Sequence, residues 1–379
     1  MHKSWNGFYN LLRGEETCCF ANKSIVDRGG LMTVIINQDQ SKFSFEFFKE
    51  MRKELCFKIC SNEMSVKEYN QQFNTIASVM LSHDSSGFHY MHDKENANDF
   101  AHTYSRAKHG SMKDIITLSE MVVSTFIAQF EDAQSSIYQL FQGLEVDSDT
   151  LVLIVPGSRN IESSSNVVFD IALRKINVFL ARNNYPTIVN VKLPRLDPPV
   201  ENYAALSQEE REEISKVRDH ILPSEEFYKN RNVHLFFGDD VLITGATADK
   251  VVSSALQQGA KSFHSIYAAV VDPVLVERTP EIEHVLNTSC LKGGICQTFI
   301  KSVCNEQLIP VMKTYNILLD PRNYGALTQK IACIPTKVLE TLYVYAMNNG
   351  YSGHSKYKYS LLYIEEYLSL KGDSIVKAQ

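Results

Sequence analysis

The sequence contains no uninterrupted apolar run approaching the roughly 18 residues needed to cross a bilayer, so no membrane partner is expected. It has no basic excess either: 38 Lys and Arg stand against 44 Asp and Glu, a formal net charge of −6. General binding to nucleic acid needs a basic face that displaces counterions from phosphates, so this balance argues against it and leaves room only for a local basic pocket. Paired C-x-x-C blocks are missing, the cysteines being scattered at Cys18, Cys19, Cys56, Cys60, Cys290, Cys296, Cys304 and Cys333. The N-terminus lacks a charged start followed by an apolar h-region, and reduced thiols in a cytoplasm are the expectation. No internal repeat and no low-complexity tract stands out, which excludes solenoid and linker-like architectures.

What is present is a chain of 379 residues, too long for one core of about 250 residues at most, so two or three units are implied. Between residues 150 and 272, short apolar runs alternate with amphipathic stretches, the pattern of βαβ units and a parallel sheet. The runs are "TLVLIVPG", "PTIVNVKL", "VHLFFGDD" and "SIYAAVVD", apolar almost throughout, as strands covered on both faces should be. A helix follows the first run, with capping serines and with Val168, Ile171, Ala172, Ile176 and Phe179 at helical spacing. Another carries Val251, Val252, Ala255 and Leu256 on one face and stops at Gly259. Residues 111–142 read as one long helix.

The expected fold class is therefore α/β, with a parallel-sheet core over residues 76–280, an N-terminal appendage or flap over 1–75, and a mostly helical region over 281–379. That last region ends in a helical hairpin whose Tyr357, Tyr359, Tyr363 and Tyr367 suit a core or a self-association surface better than a pocket, so a homo-oligomer is compatible with it. Residues 194–213 form a long segment between two core strands, and loops of that length inside compact domains are usually functional or disordered.

The chemistry concentrates at residues 238–247, "GDDVLITGAT". Parallel α/β sheets bind ligands at the carboxyl ends of their strands, where a helix N-terminus offers free N–H groups and a positive dipole to an anion. Thr244, Gly245, Ala246 and Thr247 fall there, and small residues let the backbone close around a phosphate. Asp239 and Asp240 are poorly suited to hold an anion directly. Carboxylates beside a phosphate make sense as acceptors for sugar hydroxyls or as ligands of Mg²⁺. Phosphate plus diol points to a ribose 5-phosphate group.

An acidic pair, three mostly apolar residues and Thr-Gly-x-Thr resemble the phosphoribosyl pyrophosphate (PRPP) signature of the type I phosphoribosyltransferases. The resemblance spans roughly residues 104–272 in element order, with the signature carrying nearly all of its specificity. It implies that Asp239 and Asp240 contact the ribose hydroxyls and face Mg²⁺, and that Thr244 to Thr247 wrap the 5′-phosphate. In the same fold the loop after the first core strand binds pyrophosphate, which assigns Gly157 and Ser158 as backbone donors and Arg159 as a planar fork for phosphate oxygens. The mobile loop of the family matches 194–213 in position, with Lys192, Arg195, Tyr203 and Arg211 as its candidate side chains. The implied partners are PRPP and a small-molecule acceptor, and the implied reaction releases pyrophosphate.

One departure bears on the acceptor. Members that transfer to purine bases commonly carry an acid just before the Thr-Gly, where this chain has Ile243, so purine chemistry loses support. Two other readings stay open: a PRPP- or nucleotide-sensing regulatory module without the reaction, and a nucleotide-cleaving enzyme using the same site. The segments Tyr104-x-Arg106-x-Lys108-x-Gly110 and Tyr203 to Arg211 resemble stretches of bacterial phosphoribosyltransferase-like proteins of undefined substrate. The basic cluster Arg106, Lys108, His109 and Lys113 nevertheless reads as solvated charges on a connecting loop. His83, His89 and His92 with Asp84 or Asp93 match no compact zinc spacing, and a polar loop explains them as well. Cys290, Cys296 and Cys304 read as buried thiols.

Overall fold

The computed structural model describes residues 74–155, 162–192, 223–304, 308–348 and 350–376. The expected appendage up to residue 73, the candidates Gly157, Ser158 and Arg159, and the long segment with Arg195, Tyr203 and Arg211 lie outside the described residues.

Six strands form one sheet: β1 (Thr75–Asp84), β2 (Gly87–Tyr90), β3 (Thr150–Val155), β4 (Val189–Lys192), β5 (Val233–Leu242) and β6 (Ser262–Val271). Their order is β2-β1-β6-β5-β3-β4. All neighbours run parallel except the β1–β2 hairpin. The continuous apolar runs of β3, β5 and β6 are explained by their place in the middle, covered on both faces. β4 corrects the expectation that all four runs are covered: it is an edge strand, and Val189 is 53% exposed.

β2 and one helix lie within 83–109, where a polar loop is expected, and β1 precedes them. β1 joins β6 through pairs such as Ala77 with Tyr267, and β2 turns back on it. Helix α1 (Asn98–Lys108) then buries Phe100, Ala101, Tyr104 and Ala107. Its polar residues mask a helical period, because only four of its eleven positions are both apolar or aromatic and buried. The helix expected over 111–142 is two: α2 (Met112–Glu131) and α3 (Ser136–Gln142). The chain breaks at Asp132, and Ser135 caps the second helix by accepting from the Tyr138 N–H.

Helix α4 (Ser164–Arg182) follows β3 and packs with α1 and α2 on one face of the sheet around Phe126, Phe169 and Phe236. Its N-terminus is a capping box between Ser163 and Asn166. The short α5 (Glu225–Lys229) and α6 (Ala246–Gln257) cover the opposite face, where Val251, Val252 and Leu256 meet Leu235 and Phe237. As expected, α6 ends before Gly259, whose φ is +95°.

After β6 come α7 (Pro273–Arg278), α8 (Ile282–Thr288), α9 (Gln297–Cys304), α10 (Met312–Leu319), α11 (Tyr324–Lys330), α12 (Thr336–Asn348) and α13 (Lys358–Val376). Val276, Ile282 and Leu286 belong to the core on the sheet. A separate apolar cluster, from Phe299 through Leu318 and Leu342 to Ile364, holds the later helices together. Tyr357 is buried in that cluster and Tyr363 and Tyr367 pack against it, whereas Tyr359 is 73% exposed. No helix among the described residues is long and apolar enough to cross a membrane.

The helical region meets the sheet domain at several points, among them Ser105, whose Oγ donates to the Asn287 carbonyl at 2.7 Å, and a seam at Gly110. Gly110 accepts from the Ile309 N–H at 2.8 Å, and Thr314 Oγ1 donates to the His109 carbonyl at 2.9 Å. Gly110 is required there: its φ is +92°, and a Cβ would lie 2.1 Å from the Ile309 oxygen.

Candidate functional site

β5 carries Asp239 and Asp240 at the carboxyl end of the sheet, the position at which open α/β sheets take ligands. Gly238 precedes them because Phe169 of α4 lies against that point, so a Cβ would sit 2.7 Å from its ring. The acids still belong to the strand, which runs to Leu242 before the Thr244–Gly245 turn opens α6. Gly245 takes a φ of +75°, which an L side chain adopts only with strain, and Asp249 N–H bonds back to its carbonyl at 2.8 Å. Thr244 and Thr247 are half-buried at this turn. Ile243 packs against the core, so it presents no polar group to a ligand.

The two carboxylates are held very differently. Asp240 is 2% exposed and receives Lys108 Nζ at 2.9 Å on Oδ1 and 2.7 Å on Oδ2. Ser164 Oγ donates to Oδ2 at 2.8 Å, and the Val241 N–H donates to Oδ1 at 2.9 Å. Both oxygens are therefore engaged. Asp239 is half-buried; its Oδ1 accepts from Ser165 Oγ at 2.6 Å and from the Asp240 N–H at 2.9 Å. No described residue donates to Asp239 Oδ2.

This asymmetry separates their charge states. Burial, then the Asp240 charge beside it, raises the Asp239 carboxyl above the ordinary range despite Lys108 and Ser165. Burial pushes Asp240 the same way, but the Lys108 ammonium and its hydrogen bonds win and hold Asp240 below that range. Lys108 behaves reciprocally: burial pulls it down, and the Asp240 and Asp239 charges leave it raised overall. Tyr104 stands beside the pair, its phenol kept protonated first by burial and then by the Asp240 charge. Lys108 Nζ also lies 5.4 Å from the Tyr104 ring centroid.

The basic cluster expected to be solvated is mostly not. Tyr104 and Lys108 are four apart on α1, so one helix face delivers both to the acids. Arg106 turns elsewhere and holds Asp114 with three bonds, from Nε at 3.1 and 3.0 Å and from Nη2 at 2.7 Å. His109 is buried, and burial lowers it to about 4, so it is neutral at pH 7; its Nδ1 lies 2.7 Å from the Ser105 carbonyl and must carry the proton. Lys113 alone is exposed as expected.

Lys192 ends β4, where its ammonium is shared between Glu162 at 2.7 Å and Asp170 at 2.9 Å. Lys192 is therefore already paired in the described residues. Among the described residues no group of three His, Cys, Asp or Glu is placed to hold a metal. His92 pairs with Asp93 at 2.7 Å on the surface. Cys290 is half-buried and Cys296 exposed, so neither is the buried thiol expected; Arg106 Nη1 lies 3.8 Å from Cys290 Sγ.

Sequence reasoning missed three contributors. Ser164 and Ser165 look like capping residues, yet Ser163 caps the helix and the next two reach the acids. Lys313, on the first turn of α10, is brought near Lys108 by the seam at Gly110 and by a 3.3 Å bond from the Met312 N–H to the Glu162 carbonyl. Nothing local marks it, because its position depends on a fold-wide contact.

In comparison with known proteins, the family model described as PRTase ComF-like matches residues 83–364, more than half of the chain. It extends beyond the sheet through most of the helical region. No curated protein and no solved structure matches the chain significantly.

Proposed function

This chain belongs to the ComF-like phosphoribosyltransferase family, and from that membership we propose that it binds PRPP and transfers ribose 5-phosphate to a small-molecule acceptor, releasing pyrophosphate. The observation that carries the reading is the single open carboxylate oxygen, Asp239 Oδ2, one turn ahead of a helix N-terminus. Asp239 accepts a ribose hydroxyl through that oxygen. Asp240 is the positioning residue: tied to Lys108, Ser164 and the Val241 N–H, it fixes the strand end and the charge felt by Asp239.

Thr244, Gly245, Ala246 and Thr247 take the 5′-phosphate with N–H groups of the first turn and the two threonine hydroxyls. Gly157, Ser158 and Arg159 remain the proposed pyrophosphate donors, and Lys192, Arg195 and Arg211 the proposed basic groups around them. Catalysis by these groups is electrostatic: they stabilise charge that develops on the leaving pyrophosphate and hold C1 in line with the nucleophile.

The residues present fit Mg²⁺ that arrives on the substrate phosphates. Mg²⁺ commonly uses one or two carboxylates and keeps waters and phosphate oxygens for the rest. Asp239 offers one oxygen, and Asp240 offers one only if Lys108 releases it. The ion would supply positive charge to the leaving group.

The test is PRPP binding to Asp239→Asn. Hydrogen bonds to a charged group are worth about 1.5–3 kcal/mol, so affinity should fall about 10- to 100-fold while the unfolding midpoint stays near wild type. Unchanged affinity in the folded variant would remove Asp239 from the ribose site. Tight PRPP binding with no pyrophosphate release on any acceptor would favour a sensing module.

A further inference from the structure

The helices α11, α12 and α13 share an outward face that is largely apolar. On α13, Tyr359 is 73%, Leu370 66% and Leu362 50% exposed. Both other helices pack along α13. At one edge the exposed Tyr324 of α11 lies with its ring centroid 5.9 Å from that of Tyr363. At the other edge the Tyr343 hydroxyl of α12 bonds to Glu365, and the exposed Met347 follows Tyr343 by one turn. Single apolar side chains at a surface need no explanation, whereas a contiguous exposed patch marks a contact.

The charges on this face follow a pattern. At about 100° per residue, Leu362 lies at the middle of the outward side of α13, opposite the buried Ser360 and Ile364. Lys358 and Glu366 stand one turn to either side of Leu362 on the same stripe. Both are exposed, and among the described residues neither has an ion-pair partner. Eight positions apart on one helix, they are separated by about 12 Å and do not reach each other.

We propose that this face is the interface of a homodimer, in which α13 packs antiparallel against α13 of a second copy about a two-fold axis at Leu362. A two-fold interface requires a patch complementary to itself, and the stripe meets that condition. In the antiparallel arrangement Leu362 meets Leu362 across the axis, and the Lys358 of each copy faces the Glu366 of the other. A parallel arrangement would set like charges side by side. The strip from Lys358 to Leu370 is about 20 Å long and, with a neighbouring helix on either side, about 25 Å wide. Two copies would therefore bury about 1,000 Å² in total, the lower bound for a specific interface, which implies a dissociation constant of about micromolar order. The inference is independent of the PRPP reading.

The experiment is sedimentation velocity on the full chain from about 1 to 100 µM, concentrations that bracket such a constant. Wild type should pass from monomer to dimer over that range. Leu362→Asp sets two carboxylates at the axis and should weaken the dimer by about tenfold or more. Because Leu362 is half exposed, the urea midpoint of that variant should stay at the wild-type value. Val178→Asp, the same kind of change at an exposed position of α4, should leave the dimer intact. Lys358→Glu and Glu366→Lys should each weaken it, and an equimolar mixture of the two variants should restore it, since every pair across the axis is then opposite in sign.

A wild type that stays monomeric at every concentration would overturn the proposal and leave the face to another segment of this chain or to a different protein. A dimer indifferent to Leu362→Asp would place the interface elsewhere. If that variant unfolds, the charge variants decide: a dimer indifferent to both, or one weakened by both without recovery in the mixture, would overturn the antiparallel arrangement.

Discussion

Replacing Lys108 with Met removes the cation from a carboxylate that has no access to water. The Lys108 side chain is 17% exposed and Asp240 2%. Breaking a buried pair by deleting one partner typically costs about 3–5 kcal/mol, because the other charge is left uncompensated. Ser164 Oγ and the Val241 N–H still donate to Asp240, which puts the expected loss at the lower end, about 3 kcal/mol. With a urea slope near 3 kcal/mol/M, the midpoint should fall by about 1 M.

The dependence on pH gives a second, independent reading of the same variant. In wild type the folded Asp240 carboxyl is lowered, so its contribution is present above the ordinary carboxylate range and is lost as pH falls through the folded value. Lys108 is raised, so its contribution is complete below the ordinary lysine range and is lost as pH rises through the folded value. The two shifts report one interaction. In Lys108→Met, burial acts on Asp240 without a cation and favours the protonated form. The stability gap to wild type should therefore be largest near pH 8 and should narrow on acidification. Lys108→Met/Asp240→Asn should recover part of the loss. A deficit below about 1 kcal/mol, the size of a surface pair, or a gap that does not change with pH would refute this account of the pair.

Three further outcomes are expected. PRPP affinity of wild type should weaken on acidification from a pH above the ordinary carboxylate range, because Asp239 is raised and its open oxygen accepts a hydroxyl more strongly as a carboxylate than as an acid; Asp239→Asn should lack that inflection, and a shared inflection would assign it to the ligand. Gly110→Ala should cost more than about 2 kcal/mol in urea unfolding, from an L residue at positive φ plus a clash with a carbonyl; a midpoint matching wild type would contradict the seam described here. Arg106→Leu should lose about 1.5–3 kcal/mol by the same assay, since it strands Asp114, whose side chain is 8% exposed; no change would show that the exposed part of the guanidinium already met water instead.

How much of this was legible in the sequence depends on how local the cause is. β3, β5 and β6 announce themselves as apolar runs, and α4 and α6 as periodic faces with Ser163 and Gly259 at their ends. The acidic pair and the Thr-Gly turn are readable because ligand chemistry demands those residue types in consecutive positions. β1 and α1 are not legible, since Ser78 and the polar residues of α1 dilute patterns that only the tertiary contacts complete. For the same reason Lys108 looks like a solvated lysine in the sequence: its burial comes from Asp240, 132 residues away. Lys313 is further still from recognition, because Gly110, His109 and Glu162 must first bring α10 to the sheet edge. The divided roles of Asp239 and Asp240 are invisible in a dipeptide of identical residues.

The most direct test of the central claim is calorimetric titration of metal-free wild type with PRPP, with and without Mg²⁺, and with ribose 5-phosphate for comparison. The account predicts Mg²⁺-dependent binding of PRPP, tighter than that of ribose 5-phosphate. No binding of either ligand, with the protein folded, would contradict it.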